Sequence, residues 1–167
     1  MQIVTDSGTD LYFTPEQTAE FNVHTLTKKV TLDGETYREG IDIEPGAFYD
    51  LLEESGNLPV TSQPSAGQFA ELYRDLAKKD PDILSIHMTS GLSGTYHSAL
   101  AGADLVPEAN VTHFDTKTLS AVAGWQVEAA ARASKAGLAV DRILQMVKRV
   151  GDASESIYNL DELKYLI

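Results

Sequence analysis

The sequence predicts an α/β fold, a mainly parallel sheet flanked by helices with a small β-hairpin excursion. Three observations carry that expectation. Apolar runs at residues 2–5, 83–88 and 111–114 alternate with stretches of helical periodicity, the signature of strand–helix–strand units. The run Ile83-Leu84-Ser85-Ile86-His87-Met88 is nearly continuous, as in a strand covered by helices on both faces. Asp33-Gly34 stands between Lys29-Val30-Thr31-Leu32 and Glu35-Thr36-Tyr37-Arg38, a strong hairpin signal.

Taken in order, Gln2 to Thr5 reads as a buried first strand that ends in the turn Asp6-Ser7-Gly8. Thr14-Pro15-Glu16-Gln17 opens a helix, with Thr14 as N-cap, proline at the first helical position and Gln17 at the capping-box position. A β-rich region spans His24 to Arg38. In the next helix, Pro45 to Glu54, Phe48, Leu51 and Leu52 share one face. Leu58 to Ser65 reads as a loop rich in proline and hydroxyls. Ser65 with Gln68 repeats the capping box, and Phe69, Leu72, Tyr73 and Leu76 form an amphipathic stripe that Asp80-Pro81 ends. The residues that follow His97, as far as Gly102, read as helical, and Val111 to Phe114 as a strand closed by Asp115. An alanine-rich helix runs from about Leu119 to Lys135, stopped by Gly137, with Trp125 expected in the core. Val140, Ile143, Leu144 and Val147 mark one more helix. A short segment, Ser156-Ile157-Tyr158, follows, and Leu160 to Ile167 reads as half of an amphipathic element.

Composition narrows the function classes. A chain of 167 residues with 43% hydrophobic and 23% charged content is that of an ordinary globular domain. The formal net charge of −12 repels phosphate backbones and anionic headgroups, which argues against nucleic acid and against a basic membrane-binding face. No window is apolar enough for a membrane span, and the N-terminus has no secretory pattern. The absence of cysteine removes disulfides and thiolate chemistry and fits a reducing, cytoplasmic setting.

In open α/β sheets, ligands bind beyond the carboxyl ends of the strands, where loops feed helix N-termini. Four loops qualify: Asp6-Ser7-Gly8, Thr61 to Ser65, Thr89 to Thr95, and the one after Phe114. Two of them, Thr61-Ser62-Gln63-Pro64-Ser65 and Thr89-Ser90-Gly91-Leu92-Ser93-Gly94-Thr95, are dense in hydroxyls. An anion suits such amides and helix ends. The plainer alternative is that both loops only cap helices. Ser93 as the nucleophile of a serine hydrolase or esterase is the competing catalytic reading. Gly91-Leu92-Ser93-Gly94-Thr95 lacks the last glycine of a nucleophile elbow, and the only close later pair is His113 with Asp115. No phosphate-binding glycine motif is present. His24, His87, His97 and His113 show no metal-ligand spacing and read as surface or locally bonded histidines. Neither hydroxyl loop holds lysine or arginine. Their natural guest is therefore a carboxylate whose apolar tail supplies affinity, at roughly 0.8 kcal/mol per buried CH₂.

The blocks Val4-Thr5-Asp6-Ser7-Gly8-Thr9-Asp10-Leu11, Asp33-Gly34 with Tyr37-Arg38-Glu39-Gly40-Ile41-Asp42-Ile43, Thr61-Ser62-Gln63-Pro64-Ser65 and Ser90-Gly91-Leu92-Ser93-Gly94-Thr95-Tyr96 resemble the DegV family of fatty-acid-binding proteins. Asp115-Thr116-Lys117-Thr118-Leu119-Ser120 is similar to a further family segment. The resemblance implies the first lobe of a two-lobed DegV-like fold, with a long-chain fatty acid between the lobes. It implies a carboxylate held by Thr61 and Ser93, with Ser62, Gly94 and Thr95 beside them. It also implies no metal and no cofactor apart from the fatty acid, and a protein that is not itself a catalyst. In the bacterial system that the resemblance evokes, the binding protein presents its ligand to a separate ATP-dependent fatty acid kinase, which makes an acyl phosphate. By this resemblance residues 1–155 form the first lobe. Residues 156–167 begin the crossover to a second lobe that this chain lacks, as a truncated chain would. That second lobe normally adds basic or histidine contacts to the carboxylate.

Overall fold

A computed structural model describes residues 1–159, so the amphipathic element expected at Leu160 to Ile167 lies outside the described residues. The elements run β1 (Gln2–Asp6), α1 (Pro15–Glu20), β2 (Val23–Leu26), β3 (Lys29–Leu32), β4 (Glu35–Arg38), α2 (Pro45–Ser55), β5 (Val60–Ser62), α3 (Ala66–Ala77), β6 (Asp82–His87), α4 (Thr95–Ala103), β7 (Asn110–Asp115), α5 (Ser120–Lys135) and α6 (Val140–Asp152). The four strands β2-β1-β6-β7 form a parallel sheet in that order, and β4-β3-β5 form a small antiparallel one. The fold is α/β, as predicted.

The two faces of the parallel sheet bury different side chains because successive residues of a strand point to opposite sides. Ile3, Leu84 and Ile86 pack against Val127, Ala130 and Ala131 of α5 and Ile143 and Val147 of α6. Val4 and Ile83 pack against Phe69, Tyr73 and Leu76 of α3 and Ala99 of α4. A sheet covered on both faces explains why the Ile83–Met88 run is so apolar.

Local signals set several boundaries. The capping boxes at Thr14/Gln17 and Ser65/Gln68 are both formed. Asp33 and Gly34 both take positive φ, 51° and 86°, the backbone of a type I′ hairpin turn. Gly137, with φ of 78°, follows α5. Two expectations need correcting. Thr61 lies on a short strand rather than in a loop: β5 pairs antiparallel with β3, placing Thr61 opposite Val30. Pro59 and Pro64 flank β5 and keep it to three residues. Trp125 is 48% exposed, because α5 turns Val122, Gln126, Ala130 and Ala133 inward and leaves the tryptophan off that stripe.

His113 on β7 stands between the rings of Tyr73 and Tyr96, at 6.4 and 6.3 Å, with its buried Nδ1 unbonded among the described residues. Burial, reinforced by the neighbouring His87 and opposed by Asp104, pushes its pKa from 6.5 down to about 4. The unfolded chain therefore takes up this proton at higher pH than the folded one. Stability is full above about pH 6.5 and is lost as the pH falls toward 4. After discounting for partial exposure, the expected loss is about 1–2 kcal/mol. Thermal melts across that range should show His113→Asn losing less stability on acidification than the unsubstituted protein.

Candidate functional site

Strand order places the topological switch point between β1 and β6, since the chain leaves β1 toward β2 on one side and enters β6 on the other. Ligand crevices of open sheets form at this point. Here the carboxyl ends of the two strands are tied by a buried hydrogen-bond chain. Asp6 Oδ1 accepts Gly8 N–H at 2.8 Å, and Oδ2 accepts Met88 N–H at 3.1 Å and His87 Nδ1–H at 2.8 Å. His87 Nε2 meets Ser85 Oγ at 2.6 Å, and Ser85 Oγ meets the Tyr73 hydroxyl at 2.7 Å. Burial pushes the Tyr73 pKa well above its ordinary value, so its hydroxyl keeps its proton. The bonds run in series from Tyr73 through Ser85 and His87 to Asp6, with His87 Nδ1–H donating to the carboxylate. His87 is locally bonded to Ser85, as its sequence context had indicated, but it is not a surface histidine. It is fully buried and bonded across the switch point.

Ser85, His87 and Asp6 have the composition of a hydrolase triad, but Ser85 and His87 have no exposed surface. No substrate reaches that hydroxyl, and the chain acts as a rivet between strands. Ser93, the exposed-loop candidate, accepts Thr95 N–H at 3.2 Å and pairs with Thr95 Oγ1 at 2.8 Å. It has no histidine partner among the described residues. Asp115 is committed elsewhere, to Ser90 N–H at 3.3 Å and to the Lys117 ammonium at 2.7 Å. Burial alone would raise the pKa of Asp115, but the bonds from Lys117 and Ser90 outweigh it and lower it.

The fold brings four of the five predicted site residues to one place. Thr61, Ser62, Ser93 and Thr95 line a cavity of about 40 Å³ together with Asp6, Ser7, Lys28, Gln63, Pro64 and Met88. Ser93 Oγ and Thr95 Oγ1 share a single hydrogen bond, so one of the two hydroxyl protons is left to donate into that cavity. Gly94 contributes differently. A β-carbon there would stand 2.5 Å from Gln63 Oε1, so glycine lets Gln63 lie across the start of α4 and donate to Ser98 Oγ at 3.1 Å. The Thr61–Ser65 segment is thereby joined to the Thr89–Thr95 loop.

Thr61 and Lys28 also line a second cavity of about 190 Å³, walled by Val30, Ile43, Pro45, Phe48, Tyr49 and Pro59. A polar end and an apolar chamber therefore share two residues. Sequence reasoning missed Lys28, which lies on neither hydroxyl loop. The register Lys29↔Ser62 between β3 and β5 carries it to the site, and no local spacing announces that. A larger cavity, about 620 Å³, lies on the far side of Thr89 and Leu92. Asp115, Asp152 and Glu155 line it, and its lysines, Lys117 and Lys148, are paired with Asp115 and Asp152. That surface is less suited to an anion than the hydroxyl cleft. No cluster of histidine and carboxylate able to hold a metal occurs among the described residues. No helix there is long and apolar enough to cross a membrane.

Fold and site define an open-sheet α/β protein with a hydroxyl-lined cleft at its switch point. The family model described as "Uncharacterised protein, DegV family" matches residues 1–167, and the chain belongs to the DegV family. A DegV domain-containing protein of Listeria monocytogenes is 31% identical over 165 residues, covering 98% of this chain and 58% of the relative. Among solved structures, the fatty-acid-binding DegV family protein of Thermus thermophilus superposes with a TM-score of 0.82 at 31% identity. DegV of Bacillus subtilis, described as a fatty acid binding protein, also gives a TM-score of 0.82, at 32% identity. Each comparison covers 90% of this chain and 53% of the other, so the chain spans about half the length of the relatives it matches.

Proposed function

We propose that this chain is the first lobe of a fatty-acid-binding protein and that its hydroxyl cleft receives the ligand's carboxylate. The observation that carries this reading is the sharing of Thr61 and Lys28 between the hydroxyl cleft and the apolar cavity. Thr61 and Ser93 donate hydrogen bonds to the carboxylate, Ser62 and Thr95 complete the polar wall, and Gly94 admits Gln63. The acyl tail enters the apolar chamber. At about 190 Å³ that chamber is smaller than the roughly 300–1,000 Å³ of pockets that enclose a ligand, so the tail needs a further wall. A second lobe, reached by a crossover beginning near residue 156, supplies that wall.

The protein acts as a carrier and not as a catalyst. It holds the carboxylate at the open end of the sheet, where an ATP-dependent fatty acid kinase can bring a phosphate to it. Attack of a carboxylate oxygen on the terminal phosphorus, with ADP as leaving group, would give the acyl phosphate. The setting is cytoplasmic.

Equilibrium binding of stearate and of its methyl ester tests the carboxylate assignment. Saturable binding of one stearate, with the ester bound more weakly, is the expected result, and equal binding of acid and ester would contradict it. The hydrolase alternative makes a different demand. A fluorophosphonate probe is expected to leave Ser93 unlabelled under conditions that label a control esterase, and stoichiometric labelling of Ser93 would restore that alternative.

A further inference from the structure

Lys28 differs from an ordinary surface lysine in three respects. Its backbone is fixed at both ends, since its N–H donates to Ser7 Oγ at 3.1 Å and its carbonyl accepts Glu39 N–H at 3.2 Å. Its Nζ lies 3.2 Å from Glu39 Oε2, yet that buried oxygen accepts no well-formed hydrogen bond among the described residues. The lysine also lines both the hydroxyl cleft and the apolar chamber, while Glu39 lines only the chamber. An exposed ion pair contributes little and needs no further account. A buried carboxylate oxygen without a hydrogen bond does need one, because such groups are nearly always satisfied.

The geometry points to Lys28 as the counter-cation of the ligand's carboxylate, with Glu39 as an internal carboxylate that competes for it. The inference rests on the fatty-acid reading above and names the group that sets its charge selectivity. An ammonium has three donors on a flexible stem. Glu39 holds it across 3.2 Å with poor hydrogen-bond geometry and both side chains partly exposed, so it can turn to a carboxylate arriving at Thr61 and Ser93 at little cost. The ligand then takes the ammonium from Glu39, and the Glu39 carboxylate left unpaired in a protein of net charge −12 is the cost that opposes binding. The first lobe thus brings its own positive charge to the headgroup. Affinity for acids over neutral amphiphiles is tuned by the strength of the Lys28–Glu39 pair.

The test is equilibrium binding of stearate and stearyl alcohol to the protein with its second lobe in place, unsubstituted and as Lys28→Met and Glu39→Gln. Lys28→Met is expected to weaken stearate by about fivefold and Glu39→Gln to strengthen it by about fivefold, the size of a partly exposed ion pair. The alcohol should change by less than about twofold in both. A gain in Glu39→Gln cannot come from a damaged fold. Stearate binding that is unchanged in both variants would overturn the role of Lys28 while leaving the carrier reading intact. Equal shifts for acid and alcohol would make Lys28 a packing group and would also overturn it. An unsubstituted protein with its second lobe in place that binds neither probe would overturn the carrier reading, and this inference with it.

Discussion

Replacing Asp6 by alanine is expected to cost the fold about 3 kcal/mol or more, the penalty for removing one partner from a buried charged hydrogen-bond set. Asp6 is 2% exposed and accepts three bonds, from Gly8 N–H, Met88 N–H and His87 Nδ1–H. Alanine leaves the Met88 and His87 donors buried without an acceptor and unties the β1 turn from the end of β6. Asp6→Asn keeps the shape and one acceptor oxygen and should lose less. Tyr73→Phe removes only the terminal hydroxyl and should cost about 1 kcal/mol. Urea denaturation checks the order. An Asp6→Ala protein within about 1 kcal/mol of the unsubstituted one would show that the chain is not the rivet described.

The second large effect is on binding. Thr61→Ala combined with Ser93→Ala should weaken stearate by about a hundredfold, since hydrogen bonds to a charged group contribute roughly 1.5–3 kcal/mol each and 1.4 kcal/mol is tenfold. Stability should change little. Thr61 lies on an exposed edge strand, and Ser93 gives up only its bonds to Thr95, about 1 kcal/mol. If both loops were only helix caps, the same double variant would lose that stability and no affinity. A change in stearate affinity of less than about twofold would place the carboxylate elsewhere.

How much of this was legible in the sequence depended on how local each signal is. The Asp33-Gly34 turn and the capping boxes at Thr14 and Ser65 are decided within four residues, and their geometry follows from those residues alone. The hydroxyl loops were legible for a similar reason, because strand ends and helix starts are local features whose place in an open sheet is general. The roles of His87 and Ser85 were within reach. In Leu84-Ser85-Ile86-His87 the polar positions alternate with apolar ones, so they share a face, and a buried face demands partners. Nothing local says that Asp6 is the partner, because sheet order decides it. Trp125 could have been placed by tracing the Val122–Gln126–Ala130–Ala133 stripe of α5 instead of reasoning from residue type. Lys28 was out of reach, since only the pairing of β3 with β5 brings it beside Thr61.

The central claim is that the hydroxyl cleft holds a fatty acid by its carboxylate, and native mass spectrometry of protein purified from bacterial cells without added lipid tests it most directly. The predicted result is a species heavier by the mass of one fatty acid, lost in Thr61→Ala/Ser93→Ala and regained when stearate is added to the unsubstituted protein. A spectrum showing only ligand-free protein, both as purified and after incubation with stearate, would contradict it.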